Sequence, residues 1–126
     1  MRKAAEQWFK RGNENLNDAK ILLGHGGSYG DTCFLCQRAV EKFLKGFLVL
    51  NSKKYRLIHN LAELLKDCGE IDRSLLRFGD DCKKLTAYYV TSRYPLPYPV
   101  EHTKEEADEA VKIAEKIIKV IKRLAK

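Results

Sequence analysis

The sequence predicts an all-α fold, an antiparallel up-and-down helical bundle with four long helices plus one short helix, in a single domain covering residues 1–126. Three observations predict it. Apolar residues recur at three- and four-residue steps in five segments, the spacing of one helix face. Glycines and small polar capping residues punctuate the gaps between those segments. No segment shows the strict apolar-polar alternation of a half-buried strand.

The first helix covers roughly 3–23, with Ala5, Trp8, Phe9, Gly12, Leu16, Ala19 and Leu23 on its stripe. Gly24-His25-Gly26-Gly27 ends it, since glycine tolerates the left-handed geometry that closes a helix. The second helix runs from about Asp31 to Leu50, capped by Ser28 or Asp31. Cys33, Phe34, Leu35, Cys36, Ala39, Val40, Phe43, Leu44, Phe47, Leu48 and Val49 cover most of its circumference. A helix that is apolar nearly all round belongs in the middle of a bundle, so this one is expected at the centre with Phe43, Leu44 and Phe47 inaccessible.

A polar loop, Asn51 to Ile58, leads to a short helix with Leu61, Leu64, Leu65 and Cys68, stopped by Gly69. Asn60 followed by Glu63 fits a reciprocal cap at its start. Asp72 is placed to cap a fourth helix, with Leu75, Phe78, Gly79, Cys82, Leu85, Thr86 and Tyr89 on its stripe. From Thr91 to His102 regular helix is excluded, because Pro95, Pro97 and Pro99 remove donors and force extended geometry on their predecessors. Such a loop is a place to look for function. Thr103 and Glu106 form a capping box for the last helix, whose stripe is Ala107, Ala110, Val111, Ala114, Ile117, Ile118, Ile121 and Leu124. Acids crowd its start and bases its end, complementing the helix dipole. Asp108 with Lys112 and Glu115 with Lys119 are spaced as i,i+4 pairs.

The length suits one domain with its own core. No run of about 18 apolar residues exists, so no membrane span is expected. The N-terminus lacks an apolar signal core, which points to the cytoplasm. In that setting the four cysteines are expected as reduced thiols. The net charge of +7 favours anionic partners, although the positive charges are interleaved with acids, as on any soluble Lys-rich surface.

Cys33-Phe34-Leu35-Cys36 lies inside an apolar helical run and reads as core packing rather than as half of a zinc site. The glycine-rich Gly24–Gly27 stretch lacks the upstream strand and Lys-Ser or Lys-Thr of a phosphate loop, and reads as a turn. Gln37, Glu41 and Lys45 fall at four-residue steps and share one face of the central helix, with Arg38 and Lys42 beside them. That polar stripe is either the helix's one solvated face or the lining of a groove or dimer interface. His59 is either a local loop residue or a ligand contact. Arg93 and His102 bracket the proline-rich loop. Together they suit RNA cleavage, with Arg on the scissile phosphate and His as general acid or base. The plainer reading is an Arg paired with a helix carboxylate and a His on a loop. Tyr88, Tyr89, Tyr94 and Tyr98 cluster nearby and could stack on bases. No Ser-His-Asp arrangement, metal-ligand cluster or paired-carboxylate motif stands out, and no cofactor is expected.

Leu22-Leu23-Gly24, Tyr29, the string Phe34-Leu35-Cys36-Gln37-Arg38-Ala39-Val40-Glu41-Lys42-Phe43-Leu44-Lys45, then His59-Asn60-Leu61 and Arg93-Tyr94-Pro95 resemble, in order, the motifs of the HEPN domain family. The resemblance covers nearly the whole chain. It implies an antiparallel bundle and a nucleotide- or RNA-associated binding module. It further implies a partnership with a separately encoded minimal nucleotidyltransferase, as toxin and antitoxin. Catalytic relatives are metal-independent RNases that act as dimers and carry an Arg, four to six residues, then a His. Here eight residues separate Arg93 from His102. The resemblance therefore implies a binding module first and an RNase using Arg93 and His102 second. The nucleotide or RNA contacts are expected at Arg93, Lys42, Lys45 and Tyr94, beside a polar groove of Gln37, Glu41 and His59. A homodimer is expected when no partner is present, since Ile113 and Val120 lie outside the last helix's main stripe and Tyr88 beside the fourth helix's buried face.

Overall fold

In a computed structural model of the chain, residues 2–93 and 101–126 are described, apart from the side chains of Ser92 and Arg93. The elements are α1 (Arg2–Gly24), α2 (Tyr29–Leu50), α3 (Leu61–Gly69), a 3-10 segment (Arg73–Phe78), α4 (Gly79–Arg93) and α5 (Lys104–Leu124). Among the described residues there is no strand.

The helices run up and down. Gly12 of α1 faces Phe43 of α2, while Gly46 of α2 faces Phe9 and Trp8, so the two helices are antiparallel. Arg2 reaches the Ala125 carbonyl at 3.0 Å and Lys20 pairs with Glu115 at 2.6 Å, which sets α5 antiparallel to α1. Asp81 pairs with Lys116 and Lys84 with Glu109, which sets α4 antiparallel to α5. As its composition predicts, α2 is the central helix and packs on α1, α3, α4 and α5. Phe43, Leu44 and Phe47 are buried within it.

Local signals explain most boundaries. Ser28, not Asp31, caps α2, and its hydroxyl accepts the Asp31 N–H. Gly26 carries the left-handed φ of 68° that turns the chain after α1. Thr103 and Glu106 form the full capping box of α5. At α3 only half of the expected box forms. Asn60 accepts the Glu63 N–H, but the Glu63 carboxylate lies 3.9 Å from both Arg56 and Lys66. Asp72 caps the 3-10 segment rather than α4 itself, its carboxylate accepting the Ser74 N–H and hydroxyl. The expectation that helix stops before Thr91 is corrected: α4 continues to Arg93, where Pro95 is still two residues away. Glu115 serves α1 through Lys20 instead of pairing with Lys119. Ile113 and Val120 are also corrected. Both are buried within the chain, because α5 presents a wider apolar face to its neighbours than its main stripe suggests.

Candidate functional site

Two constellations stand out. The first is the polar stripe of α2, which is neither solvated nor open. Gln37, Glu41 and Lys45 are buried together with their neighbours on the core helix. The Glu41 carboxylate is their hub. Its Oε2 accepts from Lys45 Nζ at 2.9 Å, and its Oε1 lies 2.9 Å from His59 Nδ1 and 3.3 Å from Gln37 Nε2. Gln37 Nε2 also donates to the His59 carbonyl at 2.8 Å, tying the loop before α3 to the central helix. Burial pushes the Glu41 carboxyl up, but hydrogen bonds and charge from Lys45 and His59 outweigh it and hold the group below its ordinary value. The Lys45 ammonium lies over the rings of Trp8 and Tyr55, 5.9 and 5.7 Å from their centroids. Trp8 and Tyr55 meet edge to face. The His59 imidazole, half exposed, stacks on Tyr89, which stacks on Phe34.

The second constellation is an open cleft of about 380 Å³ at the junction of the glycine-rich turn with the ends of α4 and α5, lined by Gly27, Ser28, Tyr29, Gly30, Asp31, Thr91, Glu101 and His102. Here the fold brings together two segments that the sequence keeps far apart. The His102 side chain is only 5% exposed. Its Nε2 lies 2.9 Å from Thr91 Oγ1, and its ring meets Tyr88 edge-on. Its Nδ1 is buried without a hydrogen-bond partner, 3.8 Å from Glu106. Tyr88 donates to Glu109 at 2.8 Å. Burial and the Glu109 carboxylate push the phenol well up, so it stays protonated as that donor.

A family model described as "HEPN domain" matches residues 5–124, which is nearly the whole chain. The chain belongs to the HEPN family. A Methanocaldococcus jannaschii protein named "Putative toxin MJ1304" is 34% identical over 98% of this HEPN chain and 90% of its own length. The crystal structure of TT1696 from Thermus thermophilus superposes with a TM-score of 0.86 at 30% identity, covering 98% of each chain. The crystal structure of ST0689, described as an archaeal HEPN homologue, superposes with a TM-score of 0.76 at 28% identity, covering 97% of this chain and 98% of that one.

Within this HEPN bundle the expected contacts separate. His102 is beside the cleft. The Arg93 side chain and Tyr94 lie outside the described residues. Lys45 is turned inward and held by Glu41, so its ammonium is spoken for and it is not an exposed anion contact. Lys42, beside that stripe on α2, is half-buried and lines a separate groove against α1. Gln37, Glu41 and His59 do come together, as a closed network.

All four cysteines are buried and unbridged. Burial raises each thiol, Cys33 and Cys82 to about 12, so the CxxC pair serves as core. No group of three or more metal-ligating side chains occurs among the described residues, and no helix there is long and apolar enough to cross a membrane. Sequence reasoning missed Thr91 as the partner of His102 and Trp8 with Tyr55 as the cradle of Lys45. Neither has a local signal, since each contact joins different elements.

Proposed function

We propose that this HEPN protein is a nucleotide- or RNA-associated binding module of the toxin–antitoxin kind, acting in the cytoplasm as the partner of a separately encoded minimal nucleotidyltransferase. One observation carries the preference for binding over cleavage. His102 is enclosed, with Nε2 engaged by Thr91 and Nδ1 sealed beside Glu106. A general acid or base must bring a nitrogen within hydrogen-bond reach of the reacting oxygen. The similarity to a protein named as a putative toxin supports the toxin–antitoxin setting.

The second reading is a metal-independent RNase using Arg93 and His102. It is favoured by the cleft itself, which puts His102 and Thr91 at the end of the helix that Arg93 closes. A homodimer belongs to both readings. It rests on the family resemblance, now that Ile113 and Val120 are accounted for inside the chain.

The test pairs two measurements. The first is cleavage of single-stranded RNA in excess chelator, by the wild type and by His102→Ala. The second is co-elution with any small nucleotidyltransferase encoded beside this chain. The proposal expects no cleavage by either protein and a stable complex. Cleavage that disappears in His102→Ala supports the RNase.

A further inference from the structure

The groove between α1 and α2 is lined by Gln7, Lys10, Arg11, Glu14, Asp18 and Lys42, among others, with a volume of about 390 Å³. Elsewhere on the surface several cations are matched. Lys20 pairs with Glu115, Arg56 with Asp67, Lys84 with Glu109 and Lys116 with Asp81. Among the described residues Lys10, Arg11, Arg38 and Lys42 enter no ion pair, although Glu14 and Asp18 border the same groove. Burial, then Arg38, then Arg11 lower the Lys42 pKa, and the nearby Glu41 and Glu14 do not offset them. These cations repel one another. Arg38 and Lys42 form a like-charge i,i+4 pair, which costs an isolated helix stability.

The placement of the cluster gives the cost a use. Arg38 and Lys42 lie one turn apart on α2, about 6 Å along its axis, and each further four-residue step, to Phe34 and then Gly30, turns about 40° round the helix. Gly30 and its neighbour Asp31 line the His102 cleft. The Arg38 guanidinium lies over the Phe34 ring, 5.8 Å from its centroid. The cations therefore gather at the α1–α2 groove and end at Arg38, with Phe34 and Gly30 between it and a cleft that Asp31 and Glu101 line. Another concentration of positive charge, Lys119, Lys122, Arg123 and Lys126, gathers near the end of α5, where Lys122 and Arg123 in the last turn complement the helix dipole.

We propose that Arg11, Arg38 and Lys42 form a docking track for the phosphate backbone of a single-stranded RNA, which lies along the α1–α2 groove. The proposal rests on the RNA-associated reading above and gives it a surface. The track binds backbone and reads no bases, so it contributes affinity and orientation without sequence preference. An anion lying on it relieves the repulsion among the three cations.

The experiment is fluorescence anisotropy with a labelled single-stranded RNA of about twelve nucleotides across a salt series. It compares the wild type, Arg11→Gln/Lys42→Gln, Arg11→Lys/Lys42→Arg and the charge-matched control Lys119→Gln/Lys122→Gln. Thermal melts confirm that each variant is folded. Neutralising the track should weaken binding about tenfold or more and lower the salt slope by about 1.4, or ~0.7 per lost phosphate contact. The charge-retaining variant should bind like the wild type, and the control should stay within about twofold of it on this backbone-contact picture. Equal losses in track and control variants would overturn the track and leave diffuse attraction. Wild-type affinity in the track variant would overturn it too, with RNA binding itself intact. If that variant instead loses only the nucleotidyltransferase complex, the surface is a protein interface and the proposal fails. A wild type that binds no RNA ends the RNA reading and the track with it.

Discussion

The Glu41 carboxylate holds the Lys45 ammonium at 2.9 Å inside the central helix's packed surroundings, with side-chain exposures of only 5% and 7%. A buried pair of this kind adds little net stability over an apolar pair, but removing one partner strands the other charge. Glu41→Gln should therefore destabilise the fold by about 3–5 kcal/mol, whereas Glu41→Gln/Lys45→Met should recover most of the loss. Urea denaturation of the three proteins checks this. A single variant as stable as the wild type would mean that Trp8, Tyr55 and water satisfy Lys45 unaided.

The same carboxylate should leave a mark on acid unfolding. Its folded pKa is depressed below the ordinary 4.5, because Lys45 and His59 outweigh the effect of burial. A depressed carboxylate contributes stability above its unfolded pKa and loses it as pH falls through the folded value. The stability difference between the wild type and Glu41→Gln should thus shrink as pH falls below 4.5. Asp72 and Glu109 are also depressed, but they are common to both proteins and cancel in the difference.

Gly12 sets how closely α1 lies on α2. A Cβ there would stand 2.6 and 2.7 Å from ring carbons of Phe43, which is fully buried and cannot retreat. Overpacking of this kind costs about 1–3 kcal/mol, set against a gain of up to ~1 kcal/mol from replacing glycine in a helix. Gly12→Ala should lower the melting temperature. Gly46→Ala should do so less, because the ring it meets belongs to half-buried Phe9. The reverse order in calorimetry would show that Phe43 has more room than its burial suggests.

The thiols should be silent until the bundle opens. Each is buried, and burial holds each thiol well above its ordinary value. An aromatic disulfide reagent near pH 8 should label no cysteine promptly in the native protein and all four in denaturant. Prompt labelling of Cys33 or Cys36 would point to opening at the α2 N-terminal half.

The bundle was readable because its signals are local and repeated. The all-round apolar character of α2, the Ser28 and Thr103 caps and the Gly26 turn each follow from nearby residues. The exceptions are places where a competing partner decides. Glu63 fits a reciprocal cap by spacing, yet Arg56 and Lys66 compete for its carboxylate. Glu115 is spaced for Lys119, yet Lys20 of α1 takes it. The Gln37–Glu41–Lys45 spacing places three polar groups on one face, but only the fold closes that face with His59, Tyr55 and Trp8. For the His102 cleft the sequence named one wall and dismissed the other. The Gly24–Gly27 stretch lacks a phosphate-loop pattern, and its contribution comes from where it packs.

Trp8 is the sole tryptophan of the chain, and it sits where three segments converge: α1, the Lys45 position of α2 and Tyr55 of the loop before α3. The molecule thereby carries its own optical reporter. Tyrosine 5.1 Å away can pass excitation to the indole, and the neighbouring ammonium shifts its emission. Detachment of α1 alone would change both signals while the cores of α2, α4 and α5 stayed helical. A fluorescence transition that precedes the loss of circular dichroism would make α1 the first part of the bundle to leave.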